Sequence, residues 1–338
     1  MLKLATMHPR NKLLCLLLLP LLCGSLSPQN PPVQGQAPAP PASPTPQQPG
    51  QSPNRQEGDV FVFKAYSEEV QLHATVLDDR RRFVTSLNRD DFSVWENNVP
   101  QKITSFRRED VPVAVAIIID NSGSMRDKRP AVNQAALNFV RASNPEDEVC
   151  IVNFNDEYYL DQDFTAQIPL LKEALERIES RGGTALYDAV VATADHLKKS
   201  ARLEKKALLV VTDGEDNASR ESLEQAIRRL QVENGPVVYS IGLLGDEHQR
   251  RAQRALKAMA DQTGGASFFP KDLSEVDSIT QEIARDIRNQ YTIGYRPSTP
   301  QNQGGYRTIR VEAHASGYKH LMVRTRSGYY PGQSRASN

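Results

Sequence analysis

Five side chains with oxygen atoms suited to a metal ion stand out in the sequence: Asp120, Ser122, Ser124, Thr184 and Asp213. The first three alternate directly after the apolar run at 113–119, so in an extended turn their side chains point the same way. The aspartate at 213 follows a second apolar run, at 207–211, and the threonine opens a predicted helix. Carboxylates and hydroxyls are hard ligands, and no His or Cys lies among them, so zinc and copper are disfavoured. The set predicts a magnesium site, with Mn²⁺ or Ca²⁺ as alternatives.

Each of the three segments that supply these residues also has a purely structural explanation when it is taken alone. Ser and Asp before a helix are common caps, and Asp-Gly after a strand is a common turn. The three pieces together, each beside the end of a predicted strand or the start of a helix, favour the metal site. Glu215 and Asp216 are expected in a solvated loop, and Asp188 is expected as a polar helix residue.

The elements that must position these residues alternate between strands and helices. Continuous apolar runs suit parallel strands buried on both faces, and they occur at 113–119, 149–152, 207–211, 236–241 and, more weakly, 266–269. Apolar residues at helical spacing lie between the runs, at 132–139, 171–178, 223–230 and 279–287. This order predicts an α/β fold with a doubly wound, mostly parallel sheet, in which ligands bind at the carboxyl ends of the strands.

The Asp-Asn-Ser-Gly-Ser stretch at 120–124 resembles the D-x-S-x-S motif of the von Willebrand factor type A domain family. The flanking β segments, the export signal and the Pro-rich linker resemble those of bacterial exported proteins that carry a domain related to this family. Thr184 matches the separate threonine of the family's metal-ion-dependent adhesion site, and Asp213 matches its distal aspartate. The resemblance covers residues 111–290. It implies that the serines bind the ion directly, the threonine directly or through water, and the aspartates often through water. It also implies that an Asp or Glu carboxylate of a protein partner takes the remaining coordination position.

Two β-rich segments flank this region. Short strands are predicted at 60–63, 70–76, 92–95 and 103–106, and again at 291–295, 309–313 and 321–325. Neither flank alone is long enough for a comfortable core, so we expect the two to join in one small β-sandwich-like module with the α/β domain inserted between them. The predicted organisation is a signal peptide at 1–25, a Pro-rich disordered linker at 26–57, a β-rich segment at 58–110, the α/β domain at 111–290 and a C-terminal β segment at 291–332.

The N-terminus is typical of an export signal. Lys3, Arg10 and Lys12 precede an apolar run at 13–22, which is about half the roughly 20 residues that a spanning helix needs. An uncleaved anchor, or a lipid on Cys23, are the alternatives that would attach the chain to a membrane. The linker that follows is rich in proline and cannot build a packed core. The expected location is periplasmic, cell-envelope or extracellular.

With the signal removed, Cys150 is the remaining cysteine, and no intrachain disulfide is expected.

Charge and motifs exclude several function classes. The chain has 41 Lys and Arg against 41 Asp and Glu, so nothing favours a nucleic-acid partner. An aspartyl phosphoryl-transfer enzyme usually has a second Asp two residues after the first, where this chain has Ser122. Gly-x-Ser-x-Gly is absent around the serines, and Gly-x-Gly-x-x-Gly is absent after the first α/β strand. We therefore expect a non-enzymatic, metal-dependent protein-binding module. The alternatives are a magnesium-dependent phosphoryl-transfer enzyme and a purely structural envelope protein.

Overall fold

A computed structural model describes residues 69–108, 110–177, 180–244, 249–299 and 304–332. The predicted signal peptide, the linker, the strand expected at 60–63 and Ile178 lie outside these ranges. Within them, no helix combines the length and apolar character needed to span a membrane.

The described part of the chain contains fourteen strands, six α-helices and two short 3-10 helices at 89–91 and 123–125. The strands are β1 (Val70–Leu77), β2 (Phe92–Glu96), β3 (Val99–Gln101), β4 (Ile103–Arg107), β5 (Val113–Asp120), β6 (Glu148–Phe154), β7 (Tyr158–Thr165), β8 (Lys205–Thr212), β9 (Val237–Gly242), β10 (Ser267–Phe268), β11 (Tyr291–Tyr295), β12 (Arg307–Ala313), β13 (Met322–Arg324) and β14 (Gly328–Tyr329). The helices are α1 (Arg129–Ala142), α2 (Ile168–Glu176), α3 (Leu186–Ser200), α4 (Leu223–Leu230), α5 (Arg250–Thr263) and α6 (Glu275–Arg288).

The α/β part is built on a six-stranded sheet in the order β10-β9-β8-β5-β6-β7. All neighbouring pairs are parallel except β6 and β7. Every residue of β5 is buried, because helices cover both faces of the sheet. Val115 and Ile117 pack in a core with α1, α2 and α6, whereas Ala116 and Ile118 pack in a core with α3, α4 and α5. The predicted doubly wound α/β fold is confirmed.

The register of the central strands positions the candidate site. β5 pairs in parallel with β8, with Ile119 opposite Val211, and with β6, with Asp120 opposite Phe154. The loops that follow β5 and β8 therefore leave the same edge of the sheet side by side.

Both flanks contribute to two four-stranded antiparallel sheets, in the orders β13-β1-β11-β4 and β14-β12-β2-β3. Leu72 of β1 lies opposite Ile293 of β11, and Val94 of β2 lies opposite Val311 of β12. The inward-facing residues of both sheets form one hydrophobic cluster. Each sheet thus needs strands from both sides of the α/β part.

Two elements of the α/β part were not predicted. β7 is an edge strand whose first three residues, Tyr158 to Leu160, are all exposed, so the chain shows no alternation there. α5 buries mainly alanines, together with Leu256 and Met259, which give a weak hydrophobic pattern. The helix ends at Thr263 and is capped by Gly264, whose positive φ of 87° stops the helix from continuing.

Candidate functional site

Asp120 ends β5 and is completely buried. Its Oδ1 accepts a hydrogen bond from the Ser122 backbone N–H at 2.7 Å, and its Oδ2 accepts one from the Thr212 hydroxyl at 2.6 Å. Because Thr212 ends β8, the second of these bonds joins the ends of the two central strands, whereas the first lies within the loop after β5. The carboxylate is held rigidly at the base of the loop that follows β5.

The serines of this loop link Asp120 to Asp213. Ser122 Oγ lies 3.1 Å from Ser124 Oγ, and Ser124 Oγ donates to Asp213 Oδ1 at 2.8 Å. Met125 is fully buried at the end of the same turn and anchors it in the core. The loops after β5 and β8, 89 positions apart at this contact, are therefore joined through side chains.

The segment that carries Thr184 lies against the β5 loop. The Arg181 N–H donates to the Asn121 carbonyl at 2.9 Å, and the Gly123 N–H donates to the Gly182 carbonyl at 3.3 Å. Gly182 has a positive φ of 78°, a conformation that favours glycine. This backbone pairing brings the third loop to the same rim.

Thr184 itself faces the loop after β8. A Cβ added to Gly214 would lie 3.4 Å from Thr184 Oγ1, which shows how closely the two loops approach. Thr184, Ser124 and Asp213 line one pocket. The structure thus brings together all five residues singled out by the sequence.

Burial and charge both act on the carboxylates of this site. Removal from water raises the pKa of Asp120, and the nearby Asp213 raises it further, against the hydrogen bonds from Thr212 and Ser122 that lower it. Asp213 is also buried, and it forms an ion pair with Lys128. A cation between the two carboxylates would relieve their repulsion.

The donors present fit a small, hard divalent cation. Three hydroxyls and two carboxylates supply oxygen atoms, the ligands that Mg²⁺ prefers. In this structure the positive charge of the Lys128 ammonium balances the Asp213 carboxylate, as a bound cation would. In the part of the chain that the structure describes, no group of three or more His, Cys, Asp or Glu side chains could hold a metal ion. Any ion at this rim would therefore need the hydroxyl oxygens.

Several residues that support the site were missed from the sequence. The Asn217 side-chain oxygen accepts from the Thr184 N–H at 3.0 Å, and Asp156 Oδ1 accepts from the Gly183 N–H at 2.9 Å. Lys128 was missed as well, although it lies four residues after Ser124. A lysine at that spacing is the one signal that could have suggested the pair.

Two acidic residues near the site, Asp216 and Asp188, form hydrogen bonds that the sequence did not predict. Asp216, expected in a solvated loop, accepts from the Tyr187 N–H at 3.0 Å and from the Ser219 hydroxyl at 2.6 Å. Asp188, expected as a polar helix residue, accepts from the backbone N–H groups of Arg220 and Glu221. Together they tie the start of α3 to the loop after β8, which local pattern could not reveal.

Comparison with known proteins supports the fold. Residues 115–215 match the family model of the von Willebrand factor type A domain. No curated protein sequence gives a significant match to the chain.

Similar solved structures include three proteins of low sequence identity. The vWF domain of the type V pili tip protein Mfa5 from Porphyromonas gingivalis is 14% identical, with a TM-score of 0.45 over 53% of this chain and 95% of that one. The PilB minor pilin from Streptococcus sanguinis is 14% identical, with a TM-score of 0.45 over 54% of this chain and 63% of PilB, so the chain spans less than two thirds of that protein. A von Willebrand factor type A protein from Catenulispora acidiphila is 15% identical, with a TM-score of 0.46 over 80% of this chain and 74% of that one.

The assignment of the family depends on the family model and on the architecture. The matched residues include most of β5, all of β6 and β8, and all five residues of the candidate site. The helices on both faces of that sheet complete the expected arrangement. The family model thus identifies a von Willebrand factor type A domain within the α/β part, over residues 115–215.

Proposed function

We propose that the chain is an exported protein-binding module that captures an acidic side chain of a protein partner through a divalent cation. Mg²⁺ is the preferred ion, with Mn²⁺ or Ca²⁺ as alternatives, and the residues that would hold it are Asp120, Ser122, Ser124, Thr184 and Asp213. The observation that carries the proposal is the convergence of these side chains, from three loops distant in sequence, on one rim of the sheet.

The residue types explain why such a site would recognise a carboxylate. Ser122, Ser124 and Thr184 offer neutral hydroxyls, which leave most of the charge of a divalent ion uncompensated. When bound, the ion would supply a coordination position that attracts an Asp or Glu carboxylate. Asp120 is fixed by its two hydrogen bonds, so it can hold its orientation without rearrangement.

The N-terminal sequence supports export. Positive residues followed by a short apolar run and a Pro-rich segment are typical of a protein that leaves the cytoplasm and is held away from a surface. We therefore propose a periplasmic, cell-envelope or extracellular location. Attachment to a membrane would come from an uncleaved signal anchor or a lipid on Cys23.

Two other functions compete with this proposal. A phosphoryl-transfer enzyme would use Asp120 as a nucleophile, but both oxygens of that carboxylate accept hydrogen bonds, and the residue two positions on is Ser122 rather than a second acid. A structural protein would use the ion to stabilise its fold alone. Partner binding and thermal stability distinguish the structural alternative from the proposed function.

The first experiment measures ion binding directly. Calorimetric titration of the full chain with MgCl₂ should show one binding event that Ser122→Ala or Asp120→Ala abolishes. Ser316→Ala, at an exposed serine between β12 and β13, is the matched control and should bind Mg²⁺ as the unmodified chain does. Unchanged Mg²⁺ binding in the Ser122 and Asp120 variants would contradict the assigned ligands.

A second experiment tests the use of the ion. Proteins captured from an envelope extract in Mg²⁺ should be released by EDTA and should not be captured by Ser122→Ala. Equal capture in EDTA would contradict the mechanism. A large fall in melting temperature on chelation without any Mg²⁺-dependent capture would favour the structural alternative.

A further inference from the structure

A groove lined by both polar and apolar residues lies between the start of α1 and the end of α2, apart from the pocket that holds Thr184 and Asp213. It has a volume of about 720 Å³, and Arg126, Arg129, Asn133 and Ser180 are among the residues that line it. A water molecule occupies roughly 30 Å³ of liquid, so the groove has room for a larger polar group.

Arg129 is the unusual residue of this groove. The residue keeps only 5% relative exposure, and its Nη1 donates to Asn153 Oδ1 at 2.9 Å. Its other two nitrogens, Nε and Nη2, are buried and have no hydrogen-bond partner in the described residues. The same holds for Oδ1 of Asn133, whose amide nitrogen donates to the Leu175 carbonyl at 2.8 Å.

A buried guanidinium with two unmet donors is strongly unfavourable unless something pairs with it. Burial lowers the pKa of Arg129 to about 10, against the charges of Asp161 and Asp120, which raise it. Neither carboxylate forms an ion pair with Arg129 in the described residues. The charge therefore lacks a direct counterion.

We propose that this groove binds a carboxylate group, with Nε–H and Nη2–H of Arg129 donating to its two oxygens. Two N–H groups of one guanidinium match a carboxylate in a bidentate geometry. Asn133 Oδ1 then accepts from an N–H next to that carboxylate, as found at the C-terminal residue of a peptide.

The charges around the groove favour an anion. Arg126 is exposed at the groove and donates to the Ser180 carbonyl at 3.3 Å, so its charge stays close to the entrance. Glu176 also lines the groove and opposes an anion, but Lys172 lies 3.6 Å from it and compensates its charge. The site uses no metal ion, so this proposal goes beyond the proposed function and does not depend on it.

The experiment follows the Arg129 Nε–H signal by NMR in the full chain with EDTA present. The signal is assigned by its loss in Arg129→Lys. Titration with N-acetylglycine, which carries a carboxylate and an adjacent N–H, should shift it saturably. N-acetylglycinamide, which lacks the carboxylate, should leave it unchanged at the same ionic strength.

If Arg129→Lys fails to fold, two variants that keep Arg129 still test the proposal. Arg126→Ala should weaken N-acetylglycine binding several-fold, whereas Arg141→Ala, an exposed arginine at the other end of α1, should not. The proposal is overturned if N-acetylglycine causes no saturable shift, as expected when ordered water alone pairs the guanidinium. Equal shifts with N-acetylglycinamide, or a response to orthophosphate alone, would also overturn it.

Discussion

Asp213 is shared between a hydroxyl and an ammonium group. Ser124 donates to one of its oxygens, and Lys128 pairs with the other. The lysine side chain keeps 31% of its exposure, so it can leave the pocket without unfolding α1. In the proposed function, Lys128 competes with the divalent ion for the same carboxylate and so sets the affinity of the site.

Lys128→Met is therefore expected to tighten Mg²⁺ binding. Removal of a competing positive charge beside a buried carboxylate should lower the dissociation constant on the order of tenfold, or about 1.4 kcal/mol. Calorimetric titration measures the change, with Lys172→Met, an exposed lysine of α2, as the control. An unchanged or weaker affinity in Lys128→Met would show that the lysine does not compete.

At the scale of single elements, the two ends of β8 form different contacts. Its C-terminal end, at Thr212, holds Asp120. Its N-terminal end, at Lys205, is buried, and the ammonium donates to the Ile287 carbonyl at the end of α6. One end of the strand thus supports the candidate site, and the other end contacts α6, the helix that precedes β11.

The buried lysine makes stability depend on pH. Burial lowers the pKa of Lys205 to about 8, although the charges of Asp110, Asp286 and Asp147 oppose the shift. Because the unfolded chain keeps the ordinary pKa near 10.5, it binds more protons than the folded chain between these values. The free energy of unfolding should therefore rise by about 3 kcal/mol between pH 8 and pH 10.5 on account of this residue.

Urea unfolding at several pH values checks this expectation against Lys205→Met. The unmodified chain should gain stability relative to the variant as pH rises through this window. Lys257→Met, an exposed lysine of α5, should keep the pH profile of the unmodified chain. Parallel profiles for the unmodified chain and Lys205→Met would contradict the lowered pKa.

At the scale of the whole molecule, one buried carboxylate joins the two flanks of the α/β domain. Glu96, from β2, accepts from the hydroxyls of Tyr295 at 2.6 Å and Tyr329 at 2.8 Å. It also pairs with Arg307 at 3.1 Å, and both partners of this ion pair are almost fully buried. Burial and the charge of Glu96 raise the pKa of both tyrosines, which stay protonated and keep donating.

Glu96→Ala should destabilise the chain by about 3–5 kcal/mol, because it removes one partner of a buried ion pair. Chemical unfolding measures the loss, and Glu312→Ala, a half-exposed glutamate of β12, is the control and should change stability by less than about 1 kcal/mol. Mg²⁺ binding by the folded variant should be retained, since the proposed ligands lie in the α/β part. A loss for Glu96→Ala no larger than that for the control would contradict the central role of Glu96.

The sequence by itself determined the features that depend on neighbouring residues. The buried runs of β5 and β8, the alternation of Asp120, Ser122 and Ser124, and the helix after Thr184 are all local patterns, because burial on both faces and side-chain direction follow from short stretches of chain. The family model and the strand order confirm the fold that these patterns predicted.

Only the tertiary structure decided which distant groups meet. Three contacts show this: the Lys128–Asp213 pair, the support of Thr184 by Asn217 and the bond from Arg129 to Asn153. They join residues that lie 24 to 85 positions apart in the chain. The edge strand β7 and the pairing of β1 with β11 likewise depend on neighbours that no local pattern specifies. The physical reason is that a hydrogen bond or ion pair depends on the distance between two groups in space. Hydrophobic periodicity, in contrast, depends only on residues that are close in the sequence.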